Sequence, residues 1–565
     1  MNPCKIFQLL SFIFGFLGVV IGFFVLPGND STRFQRRRRW NKDDLENAQE
    51  LLRGFLRLSA DIPLTPKRRS NFPSGPINYK VIDRTEYTIN KRILNDVFET
   101  DLVLTTPQMR DVISDFQRHK MGQTRRKRKV IVGDTFRWPQ QIVPYFLKET
   151  DREWRRIILD GMRKWERETC IHFKERTDEK DYVYIFRGAG HVYRIFNNFF
   201  YLCYSSVGRI GGKQYTSIGY GCESGGIVAH ELGHTLGFWH EQSRPDRDEY
   251  ININEEHIFP GTKGNFEKRN DIAITDVPYD FGSVMHYGPQ AFSNDYHYVT
   301  IETKDHRFQH TIGQRNDLSF IDIKEANRMY CKDKCKVNLN CLNGGYEDPR
   351  NCAICKCPPG SAGIRCESIP LSTGKLNIHT CCNNYLSIAG CGGELLAGEQ
   401  WLTLKSSIVG NCYWRITAPF GKVHLEVLDA MYVCDSSCAD NYLEIKHGTK
   451  LEQTGFRQCC NAAAGDIISE TNQVYIMSIA LKAPANFTLR YIRDSTSSPL
   501  PKAPPAQWSG QGGITGLIGA ENGIDNTWEH IVLKQLPRTL QTFGRPSHNI
   551  FSDISHILQI FLNPR

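Results

Sequence analysis

Between Cys4 and Cys170 the chain has no cysteine, although its 565 residues hold 19. No disulfide framework can order that stretch. The other 18 all follow residue 169, and an even, dense set of this kind points to an oxidising compartment. Long apolar runs are also scarce. Ile6–Leu26 is the only one able to span a bilayer, which excludes a polytopic membrane protein. Preceded by Lys5, it reads as the core of a signal peptide at 1–26 or as a signal anchor. Arg36–Arg39 follow, and positive charge just beyond a span prefers the cytoplasm, whereas the cysteine-rich part belongs outside. Cleavage is therefore expected, with a secreted, extracellular product.

A basic excess is missing from the larger part of the chain. Residues 27–128 hold 22 Lys or Arg against 13 Asp or Glu, and Lys5 adds one charge, so residues 129–565 carry about −1 of the formal +9. That balance argues against a nucleic-acid partner.

What is present is concentrated between His230 and Glu241, which reads His-Glu-Leu-Gly-His-Thr-Leu-Gly-Phe-Trp-His-Glu. His230 and His234 are four apart, so on a helix both imidazoles leave one face and can grip one ion. Gly237 can take φ > 0, turning the chain out of the helix so that His240 becomes a third ligand. Three protein ligands leave a position for water, the arrangement of a catalytic zinc. Glu231 is placed to act on that water as general base. Farther on stands Ser283-Val284-Met285-His286-Tyr287.

These two segments resemble the metzincin zinc proteases, with Met285 as the Met-turn. More narrowly, Glu241 directly after His240 and the Ser-x-Met-His-Tyr run are similar to the astacin family. The resemblance implies that Tyr287 is a switchable fifth zinc ligand that also stabilises the oxyanion. It implies an α+β catalytic domain at 129–331 and one Zn2+. Arg125-Arg126-Lys127-Arg128 precedes that domain and fits the Arg-x-Lys-Arg pattern of a furin-like convertase, which makes 27–128 a propeptide. By the same resemblance, the Lys129 amine freed after Arg128 pairs with Glu241. Within the propeptide, a helical pattern covers Asp43–Leu58. Phe98-Glu99-Thr100-Asp101 resembles the family's Phe-x-Gly-Asp element, so Asp101 is expected on the zinc in the zymogen only. Thr100 stands where the family has Gly.

In the catalytic domain, Trp138-Pro139 and Val143-Pro144-Tyr145-Phe146 read as strand-like with Pro at edges. Ile157, Ile158, Met162 and Trp165 read as one helical apolar face. Family pairing implies Cys170–Cys331 and Cys203–Cys222. Residues 332–367 carry six cysteines and resemble an EGF-like module, with the implied pairing Cys335–Cys352, Cys341–Cys355 and Cys357–Cys366. No acidic pattern for a calcium-binding EGF is present. So short a segment cannot bury a sufficient core, and its disulfides have to carry the fold.

Residues 381–493 resemble a CUB domain, an all-β sandwich whose alternating runs include Val423–Val427 and Tyr442–Ile445. A Cys391–Cys412 bridge goes with that resemblance. Cys434 pairs with either Cys459 or Cys460, and the partners of Cys381, Cys382 and Cys438 are not legible. Asp440 falls where some CUB domains bind calcium. Asn486-Phe487-Thr488 and Asn29-Asp30-Ser31 are glycosylation acceptors. Residues 494–565 form a Ser/Pro/Gly-rich tail expected to be disordered.

The reading is thus a secreted zinc-dependent endopeptidase made as a zymogen, its EGF and CUB modules available to bind substrate or matrix. By resemblance to nematode members, cuticle or matrix collagen precursors in moulting or development are candidate substrates. The competing class is a catalytically inactive EGF–CUB extracellular binding protein.

Overall fold

The computed structural model describes residues 42–60, 85–121, 130–188, 202–376 and 391–494, apart from 92, 132, 270, 271, 274–276, 296, 436 and 463. The chain divides into two units, Met1–Leu500 and Pro501–Arg565, and the second lies wholly outside the described residues. The expected signal segment, Cys4, Asn29, Arg128, Lys129, Cys381, Cys382 and nearly all of the tail lie outside them too. No helix among the described residues is long and apolar enough to cross a membrane.

Residues 142–218 form a five-stranded sheet in the order His172–Glu175, Ile142–Leu147, Tyr182–Phe186, Lys213–Ile218, Cys203–Ser205. All neighbours run parallel except the last pair. Cys203–Ser205 is therefore an edge strand. Pro144 sits in an inner strand, contrary to the edge expectation. It is tolerated because pairing with Tyr182–Phe186 begins only at Tyr145, so no ladder bond on that side needs its missing N–H. Pro139 opens a 3₁₀ turn, Pro139–Gln141, and not a strand.

The helix Arg152–Glu168 starts at Asp151, whose side chain accepts the Trp154 N–H. It buries Trp154, Ile158, Met162 and Trp165, spacings that repeat on one helical face, while Ile157 stays at the margin. That face packs on the helix Gly225–Leu236, whose residues from Gly226 onward are buried all round. Two indoles pin this second helix: Trp165 Nε1 donates to Ala229 O at 2.9 Å and Trp138 Nε1 to Thr235 O at 2.9 Å.

The upstream helices Lys42–Ser59 and Thr106–Lys120, with Phe98 between them, pack beside this core through Phe55, Phe98 and Phe116. After the helix Phe320–Tyr330, Cys335–Cys352, Cys341–Cys355 and Cys357–Cys366 staple a small hairpin region. Cys170–Cys331 and Cys203–Cys222 fasten the region that holds this sheet and the two helices.

Residues 393–494 are all strand and turn. Two long strands, Leu402–Thr417 and Gln473–Asp494, pair along nearly their whole length across an irregularity at Ile408/Gly410. On one side of it the pair continues to Lys422–Tyr432, on the other to Asn441–Lys446. The same two strands thus serve both layers of a sandwich around a core containing Trp414, Leu425, Ile445, Phe456 and Leu489. Cys391–Cys412, Cys434–Cys460 and Cys438–Cys459 fasten it.

Candidate active site

Ser224 caps the motif helix by accepting the Ile227 N–H at 3.2 Å. The helix ends at Gly237 with φ +108°, a left-handed conformation that costs a side-chain-bearing residue energy. Just past that turn, His240 comes back beside His230 and His234; all three are fully buried.

Each imidazole uses Nδ1 on a partner outside the cluster. His230 Nδ1 meets Val284 O at 2.8 Å, His234 Nδ1 meets Phe238 O at 2.9 Å, and His240 Nδ1 meets Glu99 Oε2 at 2.8 Å. A proton on Nδ1 leaves a lone pair on Nε2, and the three Nε2 atoms face one another. His230 and His234 Nε2 are 3.1 Å apart. Asp101 completes the group, with Oδ2 3.3 Å from His230 Nε2 and 3.4 Å from His240 Nε2, and Oδ1 3.5 Å from His234 Nε2. Ligands about 2.1 Å from a tetrahedral zinc would be about 3.4 Å apart. The four donor atoms lie within 4.8 Å of one another, and His240 Nε2 and Asp101 Oδ1 make no hydrogen bond. Four converging acceptors without protons repel one another unless a cation lies between them, so this donor set fits one Zn2+.

Asp101 reaches the cluster on a tight reversal closed by mutual backbone bonds of Phe98 and Leu102, each 2.9 Å. Glu99 and Thr100 take φ of +45° and +71°. The left-handed position explains why glycine suits residue 100; threonine adopts it here with its hydroxyl donating to Asp101 Oδ2 at 3.0 Å. Asn90 holds the reversal to the edge strand, its Nδ2 donating to Thr100 O at 2.9 Å and its Oδ1 accepting the Cys203 N–H at 3.1 Å. Beyond Asp101 the chain pairs with that strand. Ser205 N donates to Asp101 O at 2.9 Å, and Val103 N to Ser205 O at 3.0 Å.

Three upstream residues at the site have roles that the sequence does not assign. Glu99, besides His240, accepts the Ser243 hydroxyl at 2.9 Å. Asn90 is the second. The third, Glu86, is fully buried and receives Arg315 Nε at 2.8 Å, with its Oε1 3.6 Å from His230 Nε2. Burial opposes its charge, but Arg315 wins and holds Glu86 down to about 2. Glu231 moves the other way. Burial first, then the Asp101 and Glu86 carboxylates, raise it well above the usual carboxylate range. Two of these three influences come from residues upstream of 129.

Below the histidines, Met285 is fully buried and its carbonyl accepts the Glu241 N–H at 3.0 Å. Asp322 braces the turn, accepting from Ser283 Oγ at 2.6 Å and Val284 N at 2.9 Å. Glu241 is buried, its Oε1 receiving Asp280 N at 2.9 Å and Arg244 Nη1 at 3.2 Å. The Tyr287 ring lies 4.6 Å from that of His240. Burial, with Glu99 and Asp101 nearby, keeps the Tyr287 hydroxyl protonated far above pH 10. Outside the site, Asp440 pairs with Lys482, and Asn486 is exposed.

Two family models match the chain: the astacin peptidase family over 131–331 and the CUB domain over 405–486. The chain is 42% identical over 488 residues to zinc metalloproteinase nas-30 of Caenorhabditis elegans, covering 84% of this chain and 60% of that one. It is 38% identical to nas-37 of the same organism, covering 72% and 50%. With nas-26, also from Caenorhabditis elegans, identity is 34%, covering 66% of this chain and 86% of that one. The chain thus spans only 60% and 50% of the length of the first two relatives.

Proposed function

The chain belongs to the astacin family of zinc metalloproteinases, and from that premise we propose that it is a secreted zinc endopeptidase made as a zymogen. One observation carries the reading. The Asp101 carboxylate sits among His230, His234 and His240, in the fourth ligand position that the three histidines alone would leave to water. Zinc, when bound, supplies a Lewis acid that polarises a carbonyl and acidifies water.

The remaining chemistry belongs to the chain. Glu231 takes the proton of the attacking water and passes it to the leaving amine. Tyr287 donates its O–H to the carbonyl oxygen as that atom gains charge. An extended substrate uses Ser205 N and O on the edge strand, the groups that Asp101 O and Val103 N occupy in the zymogen. Activation is cleavage after Arg128 by a furin-like convertase, which lets the Lys129 amine join Glu241. The EGF-like module at 332–367 and the CUB sandwich at 381–493 extend the surface available to substrate or matrix. The substrates are extracellular proteins, with cuticle or matrix collagen precursors the first to test.

The presence of all three histidines and of Glu231 argues against an inactive binding protein. Convertase-treated protein should cleave a quenched peptide and lose that activity to a zinc chelator. Failure of processed, zinc-loaded protein to cleave peptides or unfolded proteins would overturn the reading.

A further inference from the structure

The segment Val277–Ser283 lies between the site and the β-sandwich. On its inner side, Asp280 N donates to Glu241 Oε1 at 2.9 Å, and Pro278 O and Val277 O accept from Arg244 at 3.2 and 3.3 Å. It runs directly into Val284, whose carbonyl orients His230, and Met285, whose carbonyl receives the Glu241 N–H. On its outer side it meets a loop of the sandwich. Gln453 Nε2 donates to Tyr279 O at 2.7 Å and Thr454 N to Asp280 Oδ1 at 3.1 Å. Asp280 therefore bonds the Glu241 carboxylate through its amide and the sandwich through its carboxylate.

The packing repeats this arrangement. Phe281 stacks on Phe308 with centroids 4.5 Å apart, and Phe308 meets Phe456 edge-on at 6.0 Å. Arg457 N donates to Thr311 Oγ1 at 3.0 Å, and Lys324 is paired with Glu452. Gly282 is flush against Thr454; a Cβ at 282 would come within 2.7 Å of the Thr454 Cβ, too close for any real contact. Interiors this tight transmit displacement instead of absorbing it.

We infer that the sandwich segment Glu452–Arg457, a loop running into the strand Phe456–Gln458, is a positioning element of the catalytic centre: docked on Val277–Ser283, it sets the turn that orients His230 and holds Glu241. The proposal rests on the peptidase reading and deepens it. It makes the CUB domain part of the active-site scaffold as well as a surface for substrates. Gln453 and Thr454 act through Tyr279 and Asp280 and touch no substrate.

The test uses the full processed chain and a short quenched peptide too small to reach the sandwich. Gly282→Ala drives a methyl into Thr454 and should lower kcat on the order of tenfold, with KM changed less than twofold. Adding Thr454→Gly makes room and should recover most of the loss. Gln453→Ala should give a smaller kcat loss, and Trp401→Ala, an exposed sandwich residue, none. A second arm needs no activity. Hydrogen exchange at the Met285 and Glu241 amides should quicken in Gly282→Ala and revert in the double variant. If Gly282→Ala is silent in both arms, or the double variant is no better than the single, the coupling is wrong. If wild-type protein cleaves nothing while exchange responds and reverts, the peptidase reading fails and the coupling stands.

Discussion

Glu86→Ala in the uncleaved precursor should loosen the prosegment's grip without touching the zinc ligands. Glu86 is fully buried and the Arg315 side chain is only 5% exposed. Removing one member of such a pair strands the other charge, at a usual cost of about 3–5 kcal/mol. Arg315 keeps two carbonyl acceptors, His286 O and Gln314 O, each bonded to Nη1 at 2.8 and 2.9 Å, which places the effect near the lower end. A loss of about 3 kcal/mol raises the population of the opened prosegment roughly 10²-fold.

The assay is zinc extraction by excess chelator from precursor carrying Arg128→Ala, so that no convertase can act. Opening gates chelator access, and the extraction rate should rise by that factor, with Glu86→Gln falling between the two. The processed Glu86→Ala enzyme has lost the prosegment and should match wild type, which separates a latch from a folding defect. An extraction rate equal to that of the Glu86-containing precursor would refute the argument.

Other outcomes follow from the same geometry. Glu231→Ala should cost roughly 10²–10⁴ in kcat while bound zinc, measured by atomic absorption, stays stoichiometric. Tyr287→Phe should lower kcat by about 2.7–4 kcal/mol equivalent with KM little changed; a pure KM effect would move Tyr287 to substrate binding. Asp101→Ala precursor should show partial peptide turnover, and Arg128→Ala precursor none; an Asp101→Ala precursor as silent as the parent removes its zinc-blocking role. His447 is held down to about 4 by burial and by Arg307. A histidine depressed from about 6.5 favours the folded state above pH 6.5 and withdraws that support as pH falls toward 4, by up to about 3 kcal/mol. Melting curves between pH 7 and 4.5 should therefore drop less in His447→Gln than in wild type.

The helix pair at His230 and His234 was legible because a spacing of four depends only on local backbone periodicity. The same holds for Trp165 and Met162 on the neighbouring helix, and for the turn at Gly237. Pro144 was misplaced because an edge is a property of the whole sheet, and only the late start of its neighbour shows why the residue is tolerated. The choice between Cys459 and Cys460 for Cys434 is of the same sort. The backbone turns at Cys460, whose φ is +66°, so that Cys460 meets Cys434 and Cys459 meets Cys438, and only the folded chain decides which.

What the sequence determined by itself is the chemistry: three histidines, a glutamate beside the first, a methionine turn, and an aspartate upstream with the right element around it. These are read from short spacings and from residue types that have few other uses. What tertiary structure decided is how that chemistry is held. Glu86 and Arg315 meet across 229 residues, Glu99 and His240 across 141, and Thr454 and Asp280 across 174. No local period links such pairs. They form because packing brings separate elements into one dry interior, where an unpaired charge or amide is costly and each group has to find a partner.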